Sequence, residues 1–294
     1  MPPGGVPKLA HAELLPLEAL TALAWWLTRH VGIERIKLTG GEPLVRVGLE
    51  HLVAQLAAIP GIAEISLTTN GSRLPQQAER LKASGLARVN VSLDSLDAAR
   101  FRELTRGGDL NETLAGISAA VAAGLLPVKL NSVLQRSSWK LDVPLLLDYA
   151  AENGLELRFI ELMRTGTERA WCDAEFVAAA EVQRWLAEQR TCLSMAATGD
   201  GPARLTSVFW RGAAVSVGWI TPRSHPFCGS CKRLRLDAHG RLYRCLMDPQ
   251  YFDLGASLQE CGREVAEEDL RFYLEQKSPP LVMDNPSAMS LIGG

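Results

Sequence analysis

Three cysteines carry the strongest chemical signal in the chain: Cys228-Gly229-Ser230-Cys231, followed by Cys245. A CxxC turn brings two thiolates to one metal, and a hairpin between residues 236 and 242 returns the third. Zinc would take a fourth ligand, and His225 or His239 lies close enough in sequence to supply it. An iron–sulfur cluster can instead be held by three cysteines, leaving one iron open. The spacing fits both, and a structural zinc knuckle is the blander of the two. Lys232, Arg233 and Arg235 follow directly, with Arg241 and Arg244 on the next predicted strand. Isolated basic residues are usually a solvated face. Guanidinium groups beside a metal site suit an anionic ligand such as a phosphate.

A second set of polar residues recurs where predicted strands end. Thr39-Gly40-Gly41-Glu42-Pro43 follows a short β-rich run. Its glycines let backbone approach a ligand, and Glu42 adds an acceptor for a cationic group. Thr68 to Gly71, Ser92 to Ser95, Lys129 to Asn131 and Arg158 to Met163 repeat the pattern. One polar strand end means little, but five point to a shared cavity at one mouth of a parallel sheet. Met163 alone would read as core packing. Lys129 inside a strand is harder to place, because lysine is rarely buried unpaired. Cys172, Cys192 and Cys261 read as ordinary thiols, and His11, His30 and His51 form no spacing pattern.

The elements that must hold these residues alternate. Strands are predicted over 33–39, 62–69, 88–94, 128–134 and 155–163. Helices are predicted over 17–31, 49–59, 76–84, 111–123 and 141–153. That rhythm, one strand roughly every 30 residues, is the βα unit of a parallel sheet or barrel. After Met163 the pattern shifts to a helix over 174–188, short strands over 205–210, 214–220, 233–237 and 242–246, and a helix over 263–276. The stretch 278–294 reads as irregular. A division into residues 1–164 and 165–294 follows.

Composition narrows the class. The 294 residues are 47% apolar with a net charge of -2. A sizeable core can form, and the chain as a whole is no basic nucleic-acid binder. The most apolar run, 114–128, is broken by Gly116, Gly124 and Pro127 and is too short to cross a bilayer. Sparse cysteines and no apolar leader predict a cytoplasmic protein without disulfides.

Seven phrases together resemble the GTP 3′,8-cyclase family of radical S-adenosylmethionine (SAM) enzymes, which opens molybdenum-cofactor biosynthesis. They are KLTGGEPLVR (37–46), SLTTNGSRL (66–74), ARVNVSLDSLD (87–97), PVKLNSV (127–133), LRFIELM (157–163), FCGSCKRLRL (227–236) and IGG (292–294). The resemblance implies an incomplete (β/α)6 barrel with a C-terminal α+β extension carrying an auxiliary iron–sulfur site. It implies SAM binding by Gly40, Gly41, Glu42, Pro43, Ser92 and Met163. GTP contacts are implied at Lys37, Thr68, Lys129, Arg233, Leu234 and Arg235, with Lys37 standing where the family usually has Arg. Cys228, Cys231 and Cys245 are implied ligands of the auxiliary 4Fe-4S cluster. Gly293 and Gly294 match a tail that reaches the active site. A homodimer and a link to cyclic pyranopterin monophosphate synthase are implied as well.

One family feature is missing from the sequence: the CxxxCxxC that holds the catalytic 4Fe-4S cluster. Met1-Pro2 resembles the residues just after the third of those cysteines. The expectation is therefore a barrel lacking its first strand, inactive unless extended at the N-terminus, with no catalytic cysteines of its own. The second cluster is expected only if such a motif lies upstream. The alternative expectation is a non-catalytic GTP-binding relative holding one 4Fe-4S cluster.

Overall fold

The computed structural model describes residues 14–165, 168–189, 192–195, 201–260, 263–277 and 284–285. Met1-Pro2 and the tail glycines Gly293 and Gly294 lie outside the described residues.

The first half alternates as its periodicity predicts. Helix α1 (Leu17–Val31) precedes β1 (Arg35–Leu38), α2 (Leu49–Ala57), β2 (Glu64–Thr69), α3 (Leu74–Ala83) and β3 (Arg88–Ser92). Then come α4 (Ala98–Thr105), α5 (Leu110–Ala122), β4 (Lys129–Leu134), α6 (Trp139–Asn153) and β5 (Glu156–Glu161). Helix α4 escapes the sequence reading. It is short and carries few apolar residues, but the Asp97 side chain accepts from the Arg100 N–H at 2.8 Å and caps it.

Strands β1 to β5 pair in parallel, each beside its successor. The sheet does not stop at residue 165. After β6 (Arg164–Thr165), α7 (Arg169–Ala174) and α8 (Ala179–Glu188), the chain forms β7 (Cys192–Met195), β8 (Arg204–Trp210) and β9 (Ala213–Ile220). Strand β9 pairs parallel to β5, and β8 and β7 continue antiparallel, giving one eight-stranded sheet in the order β1-β2-β3-β4-β5-β9-β8-β7. The helix predicted over 174–188 begins later, as α8 at Ala179, and α7 lies before it over residues that, Ala174 apart, the sequence reading left without an element.

The remainder is smaller. Strands β10 (Arg235–Leu236), β11 (Arg241–Tyr243) and β12 (Phe252–Asp253) form an antiparallel sheet, followed by α9 (Leu254–Glu260) and α10 (Arg263–Glu275). Strand β13 (Asp284–Asn285) pairs with β6 inside the stretch expected to be irregular.

The two faces of the large sheet differ. Leu67, Val89, Val91, Leu130, Leu157, Phe159 and Val217 are buried on one face and share a core with the helices. The other face is polar, row upon row. Lys37 lies beside Ser66 and Ser66 beside Arg88; Thr68 lies beside Asn90, Asn90 beside Lys129 and Lys129 beside Glu156. Ser92 lies beside Asn131, Asn131 beside Arg158 and Arg158 beside Gly218. Parallel strands normally bury apolar residues on both faces. A polar face in register is therefore an exception to that rule, and it collects side chains that a polar ligand could meet.

A second core joins distant parts of the chain. Leu23, Trp26 and Leu27 of α1 pack with Leu242 of β11, Leu254 of α9 and Leu270 of α10.

Candidate functional site

At the strand ends, the Gly40-Gly41 turn is held by Glu42. One carboxylate oxygen accepts from the Leu44 N–H (3.0 Å) and the Thr69 hydroxyl (2.7 Å), and the other accepts from the Asn70 N–H (2.8 Å). The acceptor expected for a cationic ligand thus ties the turn to the end of β2. Gly40 has φ +140° and open space where a Cβ would stand, and Gly41 is equally open. A turn of bare backbone is left with open space beside it, as close ligand approach requires. Pro43 is buried behind it, Ser92 is exposed at the end of β3, and Met163 is half-buried just beyond β5.

Neighbouring strand ends carry two acids that the sequence reading did not single out. Burial pushes the Asp94 carboxyl up to about 6, against a 2.8 Å hydrogen bond accepted from the Val133 N–H. Glu161 is fully buried. It accepts from the backbone N–H groups of Ala179 (3.0 Å), Arg223 (3.1 Å) and Ser224 (2.9 Å), and from the Ser224 hydroxyl. It pins the end of β5 to α8 and to the loop after β9.

The polar face gathers cations. Burial first, then the charges of Arg158, Arg88, Arg233 and Lys129, lower Lys37 to about 8. The Lys37 side chain is exposed to solvent, at the edge of this cationic cluster. Lys129 is lowered too, mainly by burial, while Glu156 opposes the shift. Glu156 pairs with Lys129 Nζ at 2.9 Å and with Arg158 Nε at 2.7 Å. Arg88 pairs with Glu64 at 2.7 Å, and Thr68 Oγ1 accepts from Asn90 at 3.4 Å. Sequence reading picked Lys37, Thr68 and Lys129 as ligand contacts and set Arg158 among the polar strand ends without a role, but missed Arg88 and Glu156. Their every-second-residue spacing within β3 and β5 was the available signal.

Arg233 connects this wall to the cysteines. Burial, then Arg233, lowers the Arg235 guanidinium to about 10, and Cys245 and Cys231 oppose that shift. Leu234 packs against the second core. Cys228, Cys231 and Cys245 are half-buried free thiols. Burial raises the Cys228 thiol, and the nearby Cys245 and Cys231 raise it further. Burial also acts upward on Cys231, but the Arg233 backbone and guanidinium and the Lys277 ammonium outweigh it, so this thiol is lowered. Lys277 Nζ donates to Cys231 Sγ at 3.8 Å, and the Met247 N–H donates to Cys245 Sγ at 3.4 Å.

Among the described residues, no group of three or more His, Cys, Asp or Glu is gathered tightly enough to enclose a single ion. His225 is exposed, with its ring nitrogen 3.2 Å from the Ser224 hydroxyl. The donor set itself is three soft sulfurs close enough to feel each other's charge, N–H donors on two of them, and cations around them. That chemistry fits a thiophilic centre, either an iron–sulfur cluster or zinc. No described helix is long and apolar enough to cross a membrane.

A family model described as "Radical SAM superfamily" matches residues 5–137, and one described as "Molybdenum Cofactor Synthesis C" matches residues 155–280. The GTP 3′,8-cyclase of Pelotomaculum thermopropionicum is 45% identical over 272 residues, covering 90% of this chain and 82% of the relative. GTP 3′,8-cyclase 1 of Pseudomonas aeruginosa is 41% identical over 85% of this chain and 76% of the relative. The GTP 3′,8-cyclase of Moorella thermoacetica is 43% identical over 100% of this chain and 92% of the relative. On that identity and coverage, the chain belongs to the GTP 3′,8-cyclase family of radical SAM enzymes.

Proposed function

We propose that this chain binds GTP and SAM across the polar face of its sheet and serves their conversion to 3′,8-cyclo-7,8-dihydro-GTP. The observation that carries the reading is the convergence of Lys37, Arg88, Lys129, Arg158 and Arg233 on one wall. Five cations set against the two carboxylates Glu64 and Glu156 leave a net positive wall that suits a polyanion. The three cysteines beside Arg233 would hold an auxiliary 4Fe-4S cluster near the base of that nucleotide. Gly40 to Pro43, Ser92 and Met163, at the strand ends, would hold SAM. The sheet is read as an incomplete (β/α)6 barrel, with residues 1–164 as the SAM part and 165–294 as the auxiliary-cluster part. The working form is read as a cytoplasmic homodimer.

Division of labour follows from the geometry. The cations orient the triphosphate and so place the ribose. Glu42 holds the glycine turn, and Glu161 holds the end of β5 close to Met163. A catalytic 4Fe-4S cluster, if held by a CxxxCxxC, would supply the one-electron chemistry that SAM cleavage requires. Its CxxxCxxC is not in the given sequence.

The test is anaerobic incubation of the natively produced protein, reconstituted with iron and sulfide, with GTP, SAM and a reductant. Formation of 5′-deoxyadenosine together with the cyclised nucleotide supports the reading. GTP binding without SAM cleavage would favour the non-catalytic relative. Tightly bound zinc without an iron–sulfur chromophore would overturn the cluster assignment.

A further inference from the structure

A carboxylate sits inside the cationic wall, where a polyphosphate would repel it. Glu156 faces the cavity in register with Lys129 and lies two residues before Arg158. All three side chains are about equally shielded, at 12–13% exposure. Each oxygen has its own partner: Oε2 meets Lys129 Nζ at 2.9 Å, and Oε1 meets Arg158 Nε at 2.7 Å. The contact uses Nε of Arg158, and among the described residues its two terminal nitrogens hold no hydrogen bond. Those terminal nitrogens are the fork a guanidinium offers to phosphate.

We propose that Glu156 is a positioning residue, which braces Lys129 and Arg158 against their mutual repulsion and aims both at the phosphates of the nucleotide without touching it. This inference rests on the nucleotide reading above. Without the brace, Lys129 and Arg158 repel each other and the cations Lys37 and Arg88 beside them, and the side chains scatter. The extra net positive charge of a Glu156→Gln protein would by itself tighten binding of any polyanion. Positioning and simple charge therefore predict opposite signs.

The experiment is equilibrium binding of GTP and of guanosine to the reconstituted full chain, for wild type, Glu156→Gln and Glu156→Asp. Thermal melts verify that each protein is folded. Positioning predicts that Glu156→Gln weakens GTP at least about tenfold while guanosine is unchanged. Glu156→Asp, which retains the charge on a shorter arm, should fall between Gln and wild type. It also serves as the test should Glu156→Gln not fold. GTP binding that is unchanged or tightened in Glu156→Gln, or an equal loss for guanosine, would overturn the proposal. Failure of the wild type to bind GTP would instead sink the nucleotide reading itself.

Discussion

Lys37 shows how one residue type can alter a site. A lysine at about 8 is half neutral near that pH, whereas an arginine there would stay charged. A bound polyanion restores the proton, since a nearby negative charge favours the ammonium. Above pH 8, GTP binding is therefore expected to take up a proton and to weaken as pH rises. Calorimetry in two buffers of different ionisation enthalpy measures the uptake. Lys37→Arg should abolish it and flatten the pH profile. The sign for the empty protein is opposite. Its folded Lys37 has a lower pKa than the unfolded value of 10.5, so the unfolded chain binds more protons between 8 and 10.5. This group's contribution makes the empty fold more stable as pH climbs through that window.

Elements place these residues through contacts that leave little slack. Helix α5 approaches the turn after β2 so closely that a Cβ on Gly116 would stand 2.0 Å from the Gly71 carbonyl oxygen. Gly71 itself has φ +85°, and its own Cβ would press on Val91 at 3.0 Å. The turn cannot shift without disturbing Asn70, whose N–H donates to Glu42. Gly116→Ala should therefore cost on the order of 2 kcal/mol or more, through overpacking against backbone. Urea unfolding checks this, and SAM affinity should fall with it because the glycine turn at 40–41 is tied to the same strand end. An unchanged midpoint would show that α5 can move aside freely. Glu161 plays the corresponding part at β5, where four donors meet one buried carboxylate. Buried donors left unpaired are expensive, which explains why an acid is kept at that depth.

Over the whole molecule, the second core ties the cysteine region to the start of the described chain. Leu242 is fully buried against α1 and lies three residues before Cys245. The Leu15 N–H also donates to the Ala238 carbonyl at 2.8 Å, reinforcing the same junction. Leu242→Ala should destabilise the protein by about 2–5 kcal/mol. Iron retained after reconstitution should drop as well, because the third cysteine loses its anchored strand. Iron content equal to wild type would mean that the cysteine hairpin holds its shape without the α1 contact.

Much of this was legible in the residues alone. Period-two strands and period-3.6 helices placed β1 to β5 within a few residues, because local alternation reflects which side meets the core. The CxxC with its distant third cysteine suggested a metal site, which stays a proposal, and the run of motif phrases pointed to the family that the relatives show. What the sequence could not reveal was pairing between distant segments. That β9 would extend the sheet from β5 depends on long-range hydrogen bonds, which leave no local mark. Nor could it show that Arg88, Glu156 and Arg158 share a wall with Lys37 and Lys129. Each is an ordinary charged residue in its own strand, and only strand register sets them side by side. Local sequence determined the elements and the donor types; register and packing decided which charges meet, because Coulomb interactions depend on distance in space and not along the chain.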